Sequence, residues 1–253
     1  MAKMVPDLPA QMIQNDGERM FYLACRDLPD EYTVFYSYKY RLEVPHGRED
    51  FQAIGEADFV VVHPELGYVV FEVKQGNIMY ANGRWHEFKP APSGARRSEH
   101  HTEPMAKDPV EQAQRAMWAI LERYKQKSDE SRFPLHIRFA LCFPETKKIT
   151  GDLPDHVEPE SIFLYDHLQD LDTHIRALFP KHITPNPQAI QFLIDKVLGP
   201  SFKVFALLED QIQMFHSAAT KVLTEEQARI LEETELDKKK VFFGAAGSAE
   251  AFR

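Results

Sequence analysis

Cysteine is nearly absent: the 253 residues hold two, Cys25 and Cys142. Both sit among apolar neighbours without metal-ligand spacing, which excludes a disulfide framework or a zinc-finger pattern. They read as reduced core thiols of a cytoplasmic protein. No run approaches the roughly 18 apolar residues that a membrane span needs. The first residues, Met-Ala-Lys-Met-Val-Pro-Asp, lack the apolar core of a signal peptide, so no membrane partner is expected. Positive charge is in the minority, with 30 Lys and Arg against 39 Asp and Glu and a net charge of -9. That balance argues against a basic coat for nonspecific nucleic-acid binding but leaves room for a local basic cleft. There is no internal repeat.

What is present is the make-up of a globular protein, 43% hydrophobic and 27% charged, long enough for one large domain or a domain with an appendage. The stretch from Glu56 to Lys74 organises the chain. It predicts a β-hairpin whose turn spans His63 to Gly67, because Pro64 cannot donate to a ladder. With Val62 facing Tyr68, Asp58 falls opposite Glu72 and Glu56 opposite Lys74. Side chains alternate along a strand, so these four charged residues share one face with Val60, Val62 and Val70. Opposed carboxylates about 5 Å apart repel by roughly 3 kcal/mol at an effective dielectric near 20. Burying them without partners adds to that cost. A hard divalent cation, Mg²⁺ or Mn²⁺, turns the repulsion into attraction, with Lys74 beside it to orient a water or hold a phosphate oxygen. The bland alternative is an amphipathic hairpin with a solvated acidic face.

Around the hairpin, residues 14–28 carry helical periodicity, with Asn15 or Asp16 as cap and Glu18 at the edge of the apolar face. A strand follows over 32–42. A second hairpin is expected at Asn77–Tyr80 and Arg84–Phe88 around Asn82-Gly83. Residues 89–107 read as a long loop that gathers Lys89, Arg96, Arg97, His100, His101 and Lys107. With Arg84 and His86 they form the best local basic patch for a phosphate backbone. Asp108 and Pro109 start the strongest helix, over 108–125, with Gln112 in its first turns. Strands at 135–143 and 161–165 follow, then helices at 166–178, 187–199 and 202–222. The order predicts a mixed α/β or α+β sheet crossed through helices.

Gly17-Glu18 in the first helix, Glu56-x-Asp58, Glu72-x-Lys74, Gly76-x-Ile78, Trp85 and Pro109-x-x-Gln112-Ala113 together resemble a nuclease-related (NERD) domain of the PD-(D/E)xK superfamily. The resemblance covers about 14–178 and implies a restriction-endonuclease-like αβββαβ core. It also implies a metal-dependent deoxyribonuclease in which Asp58, Glu72 and the Val73 backbone carbonyl ligate Mg²⁺ or Mn²⁺. By the same resemblance Lys74 positions the attacking water, Glu18 completes the metal or water network, and Gln112 supports the site. Arg84, Lys89, Arg96, Arg97 and Lys107 are the expected substrate-binding residues. The proline that often precedes the first aspartate is replaced by Ala57.

Residues 223–253 resemble the start of a superfamily 1 helicase motor, with Thr224 and Gln227 at a capped helix and Gly244-Ala-Ala-Gly-Ser opening a phosphate loop. Ala249, Glu250 and Ala251 occupy the remaining Gly, Lys and Thr positions, so no ATP binding is expected, and residues 249–253 read as a truncation or frame-change tail. The expected organisation is a nuclease domain over 1–182, a helical connector over 183–222 and an incomplete motor segment over 223–253. The expected partners are DNA, with RNA left open, and a helicase motor in cis in a longer protein, for DNA processing or defence against foreign DNA. Self-association through the helical part is also left open. The alternative is a non-catalytic nucleic-acid-binding or interaction module on the same fold.

Overall fold

A computed structural model describes residues 1–41, 54–89, 101–129 and 132–202, with the side chains of Lys89 and His101 left out. The segment 203–253, which includes the stretch read as a motor start, lies outside the described residues, as do Arg96, Arg97 and His100. The compact unit runs from Met1 to Pro200.

Its centre is the expected hairpin, now β3 (Ile54–His63) and β4 (Gly67–Val73). The two pair antiparallel with Val62 facing Tyr68 and His63 facing Gly67, the register that the turn dictates. Every residue of β4 is buried, as expected of a strand covered on both faces and rich in Val and aromatic residues. The strand β2 (Thr33–Arg41) pairs antiparallel with β3, and β1 (Lys3–Val5) runs parallel beside β2. On the other side β8 (His136–Phe143) pairs parallel with β4, and β9 (Ile162–Leu164) with the end of β8. The sheet order is β1-β2-β3-β4-β8-β9, a mixed six-stranded sheet. This bears out the mixed α/β expectation, while the three-residue β1 carries too little pattern to be read.

Helices cover both faces. On one, α1 (Asp16–Arg26) packs Phe21, Tyr22 and Cys25, and α3 (Leu171–Ala177) packs Leu171 and Ile175, against Phe59, Val61, Phe71 and Val73. Asn15 caps α1 by accepting from the Glu18 N–H at 2.9 Å, the preferred chemistry at a helix start. On the other face α2 (Pro109–Ser128) packs Ala116, Met117, Ile120 and Tyr124 against Val60, Val62, Tyr68 and Val70. Asp108 caps α2 through Val110 and Glu111 N–H, with Pro109 in the first turn. The Tyr68 hydroxyl donates to the Met117 carbonyl at 2.7 Å and ties α2 to β4. Both cysteines are free and buried, as expected.

Several elements depart from expectation. The helix read over 166–178 divides into a 3-10 stretch, Tyr165–Asp170, and α3. The helix read over 187–199 divides into α4 (Pro187–Phe192) and a π-helical turn, Leu193–Leu198. Both of the latter pack Ile190, Leu193 and Val197 into the α2-side core. The segment read as a loop over 89–107 contains β7 (His101–Pro104), which joins β5 (Ile78–Ala81) and β6 (Arg84–Lys89) in a separate three-stranded sheet. The expected hairpin leaves one edge of β6 with unpaired backbone groups, and β7 satisfies them.

Candidate active site

The hairpin, α1, the small sheet and the start of α2 close around a cleft of about 500 Å³. Glu18, Asp58, Glu72, Val73, Lys74, Gln112 and Lys107 all line it. Residues far apart in sequence meet there because Asp58 and Glu72 lie one step beyond the last paired rung of the hairpin, Phe59 with Phe71. On its other side, β3 pairs with β2 at Phe59 and Ala57 but not at Asp58. Ser37 falls opposite Asp58 and has φ of 54°, the left-handed region that a non-glycine residue enters at a cost. Thus β3 loses both neighbours at Asp58, whose side chain lines the cleft.

The Asp58 carboxylate accepts from the Val73 N–H at 2.8 Å. Glu72 is 2% exposed and accepts from Lys74 Nζ at 2.6 Å. Lys74 Nζ also lies 3.4 Å from Gln112 Oε1 on α2. Glu18 accepts from the Tyr36 hydroxyl at 2.8 Å. The hairpin register does not extend to place Glu56 opposite Lys74. Past Phe59, β3 pairs only with β2, so Glu56 faces Lys39 and takes the Ser37 hydroxyl, while Lys74 pairs with Glu72 on its own strand.

Burial, then the neighbouring Glu72 charge, pushes the Asp58 carboxyl from 3.8 up to about 8, although the Val73 N–H and Lys74 pull it back. Burial also raises Glu72, against the opposing pull of Lys74 and Lys107. Burial is the larger cause for both carboxyls, with their mutual repulsion adding to it at Asp58. Asp58 and Glu72 are the two carboxyls of the cleft that burial raises in this way.

Not all of the expected basic patch reaches this cleft. Lys107 lines it, but Arg84 sits exposed at the β5–β6 turn opposite Ala81 and does not. His86, two residues on, places Nδ1 3.0 Å from the Arg84 carbonyl instead. Sequence reasoning missed Tyr36, which fixes Glu18, and the acid Glu87 as a lining residue, while Glu56, expected on the acidic face, does line the cleft. Tyr36 carries no signal beyond its place in an aromatic strand, since its partner is eighteen residues away on a helix.

Among the described residues no helix is long and apolar enough to cross a membrane. In comparison with known proteins, no curated protein and no solved structure matches. One family model does, that of the nuclease-related domain, over residues 13–144. That span begins just before α1, ends just after β8, and holds every residue of the acid and lysine cluster. It covers more than half of the sequence, and the chain belongs to the nuclease-related domain (NERD) family.

Proposed function

We propose that this chain hydrolyses phosphodiester bonds of DNA with the help of Mg²⁺ or Mn²⁺. The observation that carries this is the charge of the cleft: five carboxyls, Glu18, Glu56, Asp58, Glu72 and Glu87, against Lys74 and Lys107. A polyanionic backbone is repelled by such a surface unless cations stand between.

The residues fit a hard cation. Asp58 and Glu72 offer oxygen donors in a partly buried site where a cation would offset the cost of burying their charges. With the Val73 carbonyl they would hold the ion, leaving its other positions to water, as Mg²⁺ prefers. Among the described residues no three His, Cys, Asp or Glu side chains gather closely enough to hold an ion by themselves, so the site would be open rather than caged. When bound, the cation would lower the pKa of a water and offset charge developing on the phosphate.

The chain's own residues do the rest. Lys74, steadied by Glu72 and Gln112, orients the attacking water or a phosphate oxygen. Glu18, steadied by Tyr36, completes the acid set as a second water or metal partner. Lys107 faces the same space as a counter-charge for the backbone. A helicase motor in cis, and with it a role in DNA processing or defence, rests on residues 223–253 alone.

The test is incubation of supercoiled plasmid, linear DNA and RNA with Mg²⁺ or Mn²⁺, with EDTA controls and Glu72→Gln and Lys74→Ala proteins alongside. Metal-dependent cleavage lost in both variants is expected. A well-folded protein that binds DNA but never cuts it would replace the nuclease by a binding module on the same fold.

A further inference from the structure

We propose that a second pocket, beside the cleft, receives a single unstacked nucleobase of the substrate. This deepens the nuclease reading and rests on it for the identity of the ligand.

The small sheet connects the two spaces. Ile78 and Glu87 face each other across β5 and β6, and both line the catalytic cleft. The next rung on the same face is Tyr80 with Trp85, about 7 Å further along the strands. Tyr80 and Trp85 line a pocket of about 370 Å³ that also includes Ile78, so the two cavities share a wall. The volume lies within the range of small-ligand sites.

Aromatic rings make its walls. Tyr80 meets Trp85 edge-on at 5.3 Å, and Phe143 lies nearly parallel to Trp85 at 6.2 Å. Ile149 and Leu153 form part of the lining from the segment after β8, and Ile149 is exposed. The polar lining residues are Thr146, Lys148, Thr150 and Asp152.

A flat ring with an apolar face and a polar edge fits these walls, and every nucleobase has that form. The polar residues supply donors and acceptors for the base edge, and Lys148 supplies a charge for its phosphate. A base stacked in a duplex cannot enter, so the pocket selects single-stranded or frayed nucleic acid. The sharing of Ile78 with the cleft would hold the neighbouring phosphate near Asp58 and Glu72.

The chain has two tryptophans, Trp85 and Trp118, and Trp118 lies exposed on α2 away from this pocket. The full chain carrying Trp118→Phe therefore reports on Trp85 alone. With Mg²⁺ present, and Lys74→Ala added for this titration alone to stop turnover, oligothymidylate should quench Trp85 emission saturably. An abasic oligonucleotide of equal length should not. Adding Ile149→Asp should weaken the quench at least about 10-fold, within the range of one lost base–aromatic stack. Equal quenching by the abasic strand, or none by either, would overturn the pocket. Plasmid cleavage by the same Trp118→Phe protein is scored separately. Cleavage without quenching refutes the pocket and leaves the nuclease, and quenching without cleavage does the reverse.

Discussion

Replacing Asp58 by Asn should stabilise the metal-free protein, increasingly so as the pH rises. The amide keeps the side-chain oxygen that accepts from the Val73 N–H and removes only the charge. In the fold the Asp58 carboxyl titrates near 8, against an ordinary 3.8. Because the folded value is the higher one, stability is fully present below pH 3.8. It drains away as the unfolded chain ionises first, and the loss is complete above pH 8. At about 1.4 kcal/mol per pH unit, the gap between 3.8 and 8 amounts to at most about 6 kcal/mol above pH 8, and about 2 kcal/mol at pH 5. The cleft is open to water, which screens part of this. Even a third of it, about 2 kcal/mol, moves Tm by roughly 4–8 °C for a chain of this size. Thermal melts in EDTA from pH 5 to pH 9 should show wild-type Tm falling while the variant stays flatter and higher. Saturating Mn²⁺ should reverse the order, adding about 3 kcal/mol to wild type at a hundred times Kd and little to the variant. A variant less stable than wild type at pH 9 in EDTA, or one that gains equally from Mn²⁺, would refute the account of Asp58 as a desolvated, charge-starved ligand.

Tyr36→Phe removes the hydroxyl that holds Glu18 but keeps the edge-on contact with Tyr22. It should cost about 1 kcal/mol of stability and reduce DNA cleavage about 10-fold, read from urea unfolding and initial rates. An unchanged rate would leave Glu18 without a role that depends on its orientation. Gly67→Ala would set a Cβ 1.9 Å from the His136 carbonyl oxygen at a residue with φ of 124°. With backbone on the other side of the contact, the expected loss is about 3 kcal/mol or more, seen as a lowered denaturation midpoint. Buried His63 accepts from the Glu65 N–H at Nδ1 and faces Glu31 at Nε2. Burial lowers its pKa below the ordinary 6.5 despite the Glu31 partner. Its contribution is therefore complete above about pH 6.5 and lost as the pH falls below it, and His63→Gln should flatten that limb in denaturation at pH 7.5 and pH 5.5.

How much was legible follows from where each signal resides. Pro64 and Gly67 fix the turn, and a two-residue side-chain period then fixes the register, so the hairpin could be read from local sequence. Asn15 and Asp108-Pro109 mark helix starts for equally local reasons. The partner of Lys74 was not legible, because it depends on β3 leaving β4 at Phe59, a break that no local sequence signal marks. The strand β7 is likewise a response to the open edge of β6 more than a property of its own four residues. Tyr36 escaped because its hydroxyl acts through the sheet end on a helix, and no spacing in the sequence encodes that reach. Of the expected basic patch, Lys107 lines the cleft and Arg84 sits at the β5–β6 turn, while Arg96, Arg97 and His100 lie outside the described residues.

The complete burial of β4 has a consequence for motion. Amide hydrogens exchange slowly where opening must disrupt the core, and β4 is bonded to β3 on one side and β8 on the other. Its pairing with β8 continues into Lys74, whose N–H donates to the Cys142 carbonyl at 2.9 Å. The backbone of Val73 and Lys74 is thus held on the β8 side, with the Val73 N–H closed on Asp58. Lys107 lies between β7 and α2 in a segment without regular pairing, where Met105 is tied back by a single bond to the Trp85 carbonyl. Slow amide exchange is therefore expected on the wall carrying Val73 and Lys74, and faster exchange at Lys107.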